Sequence, residues 1–301
     1  MEKRRLVKAG AASHTVSLPK SWLRKNNLTK GDDVIVYEEN NILHITPTAP
    51  TKTKLKKVTI NVDEKNIHSL AREVTSAYIN NHNEITLFGE TLSNNVKEIR
   101  RILHDFVAME ITEQTSKRII AKDLLNPKEL SVGKTITRMD MIVRSMFSDI
   151  LENCKKHKES IFYRDYDVNR MYFLLYRILK ASLKDPKLAK DISLNNEDIL
   201  SSLHLITNIE SLADFVKNLT DYYHKSKDKG TKEILTSLSK IYERSMKSYY
   251  LGDKALADSI AQERLDLTEE IDKLPTRFSE NYKSILTMIN NIARVTLDKE
   301  Y

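Results

Sequence analysis

Apolar and polar positions alternate in short stretches near the start of the chain and recur at helical spacing over its second half. Arg4-Arg5-Leu6-Val7-Lys8 alternates weakly and predicts a strand, and Thr15-Val16-Ser17-Leu18 predicts a second. Gly10-Ala11-Ala12-Ser13 between them is a loop of small residues. Pro19 opens a short helix over 20–26, because its fixed φ and missing N–H suit a first helical position. Ser17 is placed to cap that helix. Leu28-Thr29-Lys30-Gly31-Asp32 is a turn, shaped by Asp32 and Asp33. Val34-Ile35-Val36-Tyr37 and Ile42-Leu43-His44-Ile45-Thr46 form a hairpin with Glu39-Asn40-Asn41 at its tip, and Pro47 ends it.

A linker follows over 48–54. The stretch 54–130 then reads as a βαβαββ module. Strands are expected over 58–62 and 84–88, and a hairpin over 110–114 and 118–122 around Thr115-Ser116-Lys117. A helix over 66–80 shows Ile67, Leu70, Ala71, Val74, Ala77 and Tyr78 on one face, and another over 93–107 shows Val96, Ile99, Leu103, Phe106 and Val107. Gly89 stands alone, so there is no phosphate-binding glycine loop, and no nucleophile–base pair stands out. An interaction or connecting domain is the leading reading, a small-molecule sensor the alternative.

From 131 to 301 the pattern is helical. Six helices are expected, over 131–157, 160–184, 195–227, 229–251, 254–273 and 276–298. Pro186 with Asn195-Asn196, then Gly252-Asp253, then Pro275 mark breaks between them. Long amphipathic helices with short connections pack as bundles, and these lengths pair as three plus three, which suggests an internal repeat.

Composition narrows the class. A chain of 301 residues suits two or three domains, and only six Gly and six Pro favour long helices. The single Cys154 excludes an internal disulfide framework and a cysteine zinc cluster, and fits a reducing compartment. With no spanning apolar run and no apolar leader, a soluble cytoplasmic protein is expected. The eight histidines are scattered and nothing resembles a catalytic triad, so no enzyme is expected. The first 47 residues are too few for a core without metal, disulfides or oligomerisation, and of these only oligomerisation is available.

Charge is placed unevenly. Residues 1–57 hold twelve Lys/Arg and five Asp/Glu, whereas the rest of the chain holds thirty-seven of each sign. The whole net charge of +7 therefore sits in the N-terminal piece, which points to an anionic partner there.

Three runs carry a family resemblance: Arg-Arg-Leu-Val-Lys-x-Gly at 4–10, Ser-x-x-Val-Ser-Leu-Pro-Lys-x-Trp at 13–22, and Leu-x-Lys-Gly-Asp-x-Val at 28–34. They resemble the SpoVT/AbrB DNA-binding domain, in the version found in archaeal regulators. The resemblance implies a swapped-hairpin β dimer presenting basic loops and strands to double-stranded DNA. Carried onto this chain, it implies DNA contact by Arg4, Arg5, Lys8, Ser13, His14, Lys20, Arg24 and Lys25. Arg4 and Arg5 suit guanine edges. Lys8, Lys20 and Lys25 suit phosphates. Ser13 suits a phosphate or the loop's own backbone, and Trp22 is a core anchor rather than a stacking platform.

The helical half resembles the PhoU family through the runs at 164–174 and 209–219. That family's two three-helix bundles carry Glu/Asp-x-x-x-Asp motifs that bind metal. Glu210 and Asp214 match the motif fully, whereas Asp165 is followed by Asn169 where an acid is expected. Residues four apart share one helix face. The resemblance thus implies a divalent or ferric cation held by Asp165, Asn169, Glu210 and Asp214. In the second repeat Gln262 and Asp266 keep one acid, and Lys283 and Thr287 keep none.

The joint order implies a phosphate-uptake regulator: residues 1–47 bind DNA as a homodimer or higher even oligomer, and the helical half senses or relays phosphate status. The alternative is a signalling adaptor docking on a phosphate transporter or sensor kinase, with the N-terminal piece serving only to dimerise.

Overall fold

In the computed structural model, residues 2–39, 41–47, 55–221, 223 and 229–299 are described. The linker expected over 48–54 lies outside them, as do 224–227 at the expected end of the third long helix. The chain is multi-domain α+β and divides into two units, Met1–Leu55 and Lys56–Tyr301.

In the first unit the two expected N-terminal strands shrink to a two-rung ladder. β1 (Val7–Lys8) pairs antiparallel with β2 (His14–Thr15), Val7 opposite Thr15 and Lys8 opposite His14. Gly10 adopts φ +83°, a left-handed conformation that suits glycine, and Ala9 N–H donates to the Ser13 carbonyl at 2.9 Å to close the loop. A lone two-stranded ribbon is marginal, so the ladder ends within the loop's reach. The cap is also not Ser17. Pro19 itself holds that position with ψ 130°, still extended, and α1 (Lys20–Lys25) starts one residue later with no side-chain cap. Asn26 closes α1 by donating its amide to the Trp22 carbonyl at 2.9 Å.

The expected hairpin forms as β3 (Val34–Glu39) and β4 (Ile42–Pro47). The register sets Val36 opposite Ile45 and Val34 opposite Pro47. Since side chains alternate between faces, one face carries Val34, Val36, Leu43, Ile45 and Pro47, with Glu38 opposite Leu43. On the other, Tyr37 and His44 stack with centroids 4.9 Å apart.

The second unit opens with a four-stranded mixed sheet ordered β5-β6-β8-β7, from β5 (Lys57–Asn61), β6 (Glu84–Phe88), β7 (Met109–Gln114) and β8 (Arg118–Asp123). β5 and β6 run parallel, joined by α2 (Ile67–Ile79), which Asn66 caps by accepting from Ser69 N–H at 2.8 Å. The helix expected over 93–107 splits into a 3₁₀ turn at Leu92–Asn95 and α3 (Val96–His104). Asp105 ends it, freeing Phe106 to fold into the core against Tyr78. At the β6 end, Asp63 accepts from Glu90 N–H, Thr91 N–H and the Thr91 hydroxyl at 3.0, 2.9 and 2.8 Å. Gly89 is required there, because a Cβ would lie 2.6 Å from Asp63 Oδ1.

The helical half begins with α4 (Val132–Ser182), which spans both of the first two expected helices but breaks at Asn153, where φ is −161° and ψ 87°. Its two arms fold back on each other: Arg164 pairs with Asp149, fifteen residues away, which a straight helix would hold roughly 22 Å apart. Pro186, expected only to separate helices, opens an extra one, α5 (Pro186–Asp191), capped by Asp185. α6 (Asn196–Leu219) starts with a reciprocal Asn195/Asp198 capping box and ends earlier than expected. α7 (Lys229–Leu251), α8 (Lys254–Asp272) and α9 (Thr276–Leu297) complete the second bundle. The α4 arms with α6, and α7 with α8 and α9, form two three-helix bundles sharing one apolar core, in which Ile206, Ile209, Tyr282 and Ile289 are fully buried.

Arg177 on α4 ties the sheet module to the bundles. Only 1 % exposed, it donates from Nε to Asn81 at 2.7 Å, pairs with Asp123 and lies over the Tyr78 ring. Phe173 packs edge-on against Phe106 beside it.

Candidate nucleic-acid interface and acidic seam

Short elements in the N-terminal unit leave its side chains open to solvent. All eight expected DNA-facing residues, Arg4, Arg5, Lys8, Ser13, His14, Lys20, Arg24 and Lys25, are exposed. Lys8 and His14 are brought side by side as cross-strand partners. Lys20 and Arg24 sit one helical turn apart on α1, and Arg24 and Lys25 occupy its last turn, where cations oppose the negative end of the dipole. Arg4 pairs with Glu2. The Ser13 hydroxyl donates to the Ala9 carbonyl, so it serves the loop's own backbone. Asp32 shapes its turn by accepting from Thr29 N–H at 2.6 Å and the Thr29 hydroxyl at 3.0 Å, and these bonds hold its carboxyl below the usual range.

Among the described residues of this unit none is buried. Leu6 is 71 % exposed, Val7 61 %, Val36 51 % and Leu43 60 %. Trp22 is only half-buried. The described residues of the unit therefore present apolar faces and form no core of their own.

In the helical half, the second arm of α4 and α6 face each other and bring Asp165 together with Glu210 and Asp214. Asn169 lies one turn from Asp165 on the same arm. Sequence reasoning missed the residue that organises them. Lys217, three residues past Asp214, places its ammonium 2.7 Å from Asp165 Oδ2 and also bonds Asp214. The signal was present, since positions 210, 214 and 217 fall on one helix stripe.

The electrostatics show too little positive charge for the acids present. Burial pushes Glu210 up to about 7, with the nearby Asp214 carboxylate adding to it. Burial, with the nearby Asp214 adding to it, also raises Asp165 against the pull of Lys217. Burial alone would lower Lys217, but the carboxylates of Asp165 and Asp214 outweigh it and leave it raised. Three carboxyl groups thus share one ammonium. Asp165 Oδ1 and Asn169 Oδ1 are buried acceptors with no hydrogen-bond partner.

The four residues implied as metal ligands do not fit that role as they stand. Among the described residues no three His, Cys, Asp or Glu side chains are arranged to hold a metal ion, and the Lys217 ammonium already bonds two of the implied ligands. In the second bundle Gln262 donates to Asp258, and Lys283 pairs with Asp272.

A second buried acid was not singled out from the sequence, although Arg144 stands one helical turn from it. Asp140 takes two bonds from Arg144, at 2.8 and 3.0 Å, and one from the Tyr250 hydroxyl at 3.0 Å. A groove of about 440 Å³ beside it is lined by Arg144, Glu243, Arg244, Lys247, Tyr250 and Leu251. Among the described residues no helix is long and apolar enough to cross a membrane.

Two family models match the chain. The antidote-toxin recognition MazE family of bacterial antitoxins matches residues 12–53. The PhoU domain matches residues 136–222, which comprise most of both α4 arms together with α5 and α6. The matches stand in the order of the two sequence resemblances, an AbrB-like segment ahead of a PhoU segment. Both families are regulatory. No curated protein and no solved structure matches the chain.

Proposed function

We propose that this chain is a DNA-binding transcription regulator of phosphate homeostasis. Two or more copies pair through residues 1–47 and present Arg4, Arg5, Lys8, His14, Lys20, Arg24 and Lys25 to double-stranded DNA. The helical half senses or relays phosphate status. One observation carries the reading: the small N-terminal unit, together with the adjoining Lys56 and Lys57, holds all of the chain's excess positive charge, and it also leaves the apolar side chains Val34, Val36, Leu43 and Ile45 of one hairpin face without a core among the described residues. A second copy would cover that face. The charge is not needed for pairing, so it supports a polyanion. Relay between the halves requires a ligand or partner that binds two states of the dimer unequally.

The antitoxin-type match favours a second reading, in which the N-terminal unit pairs and holds a protein while the helical half docks on a phosphate transporter or sensor kinase. Capture of genomic DNA by the purified full-length protein separates the two. Enrichment of discrete sequences, lost in the Arg4→Ala/Arg5→Ala variant, is expected. Uniform recovery of fragments, or none, favours the adaptor.

A further inference from the structure

The seam between α4 and α6 is lined with oxygen and holds one cation of its own. Asp165 and Asn169 lie on one helix, Glu210 and Asp214 on the other, and the two buried acceptors Asp165 Oδ1 and Asn169 Oδ1 lack partners. Such a lining demands positive charge or protons, because a buried carboxylate without either is strongly disfavoured. Lys217 is anchored on the same helix as the acid pair and reaches between Asp165 and Asp214. An ammonium donates three hydrogen bonds and spans carboxylates as a metal ion does, but it is covalently tethered and cannot leave. A metal bound to the same two carboxylates would sit against that ammonium, like charge against like.

We propose that Lys217 is the resident cation of this seam: the chain fills its own carboxylate site with a lysine and excludes divalent metal from it. The protein then joins α4 to α6 without metal, and metal supply does not govern the packing of this bundle. This inference is independent of whether the N-terminal unit binds DNA.

The test is equilibrium dialysis of the EDTA-treated full-length protein against Mn²⁺ and Zn²⁺, read by elemental analysis. The native protein and Asp214→Asn are expected to take up the same amount of metal, with none assigned to the seam. Lys217→Ala is expected to gain about one equivalent, which adding Asp214→Asn removes again. A native equivalent that Asp214→Asn abolishes would overturn the proposal, as would a folded Lys217→Ala protein that gains none. Should Lys217→Ala fail to fold, acetylation of the native protein followed by peptide mass analysis decides. Lys217 is expected to stay protected equally in EDTA and in excess Mn²⁺, and its exposure by Mn²⁺ would mean that the metal displaces it.

Discussion

Burial pushes the Glu210 carboxyl well above its ordinary range. The folded chain keeps its proton up to about pH 7, whereas an unperturbed carboxyl loses it near 4.5. Between those values the native state binds more protons than the unfolded one. Stability from this group is therefore fully present below the unfolded value and is lost as pH rises through the folded one. Asp165 acts in the same direction. After discounting for partial exposure, Glu210→Gln should abolish a decline of about 1–2 kcal/mol between pH 5 and 8. Urea denaturation of both proteins at the two pH values measures it, and parallel declines would contradict it. Two further residues act through packing. Gly89→Ala forces a Cβ against Asp63 and should cost about 1–3 kcal/mol. Arg177→Ala strands the buried Asp123 carboxylate and should cost about 3–5 kcal/mol. Hydrogen exchange after Arg177→Ala should rise first in α2 and β8, which carry its partners Tyr78 and Asp123, because the sheet module loses its tie to α4.

At the scale of elements, what the sequence made legible followed from periodicity and caps. β6 falls where its alternation places it, and α2 runs between the Asn66 and Asn80 that flank its apolar stripe. The misses arose where one local signal has two outcomes. Pro186 both stops a helix and starts one, and α5 follows it. Asn153 interrupts a pattern that stays apolar on both sides, so the fold-back appears only from Arg164 meeting Asp149. The PhoU resemblance made Asp165, Glu210 and Asp214 candidates; Lys217 shares the α6 stripe of the last two, but its bond to Asp165 depends on two helices meeting. For Asp140 the Arg144 pair is readable at its i, i+4 spacing, but its Tyr250 partner is not, because it comes from 110 residues away. For the β3–β4 hairpin the prediction concerns its uncovered face. Val36→Asp should weaken self-association of the full-length chain at least roughly tenfold by placing a charge where the partner's apolar side chains would lie. Sedimentation equilibrium checks this, and an unchanged oligomer would remove the hairpin from the interface.

At the scale of the molecule, charge and apolar exposure divide the labour. The unit from Met1 to Leu55 has exposed cations and no buried residue among those described, whereas the unit from Lys56 to Tyr301 is closely packed around two apolar cores and is balanced in charge apart from Lys56 and Lys57. On the proposed reading, one part meets other molecules and the other holds a defined shape. The most direct test of this division is the affinity of the full-length protein for its captured DNA, measured by fluorescence anisotropy across a salt series. Lys and Arg on phosphates release counterions, so log K should fall linearly with log salt, with a slope near −0.9 per phosphate neutralised. Six or more contacts across a dimer predict a loss of roughly a thousandfold or more between 50 and 200 mM salt, with a shallower slope for Lys8→Ala/Lys20→Ala. Affinity that stays flat with salt, or a slope untouched by those substitutions, would contradict the reading that the N-terminal unit binds DNA.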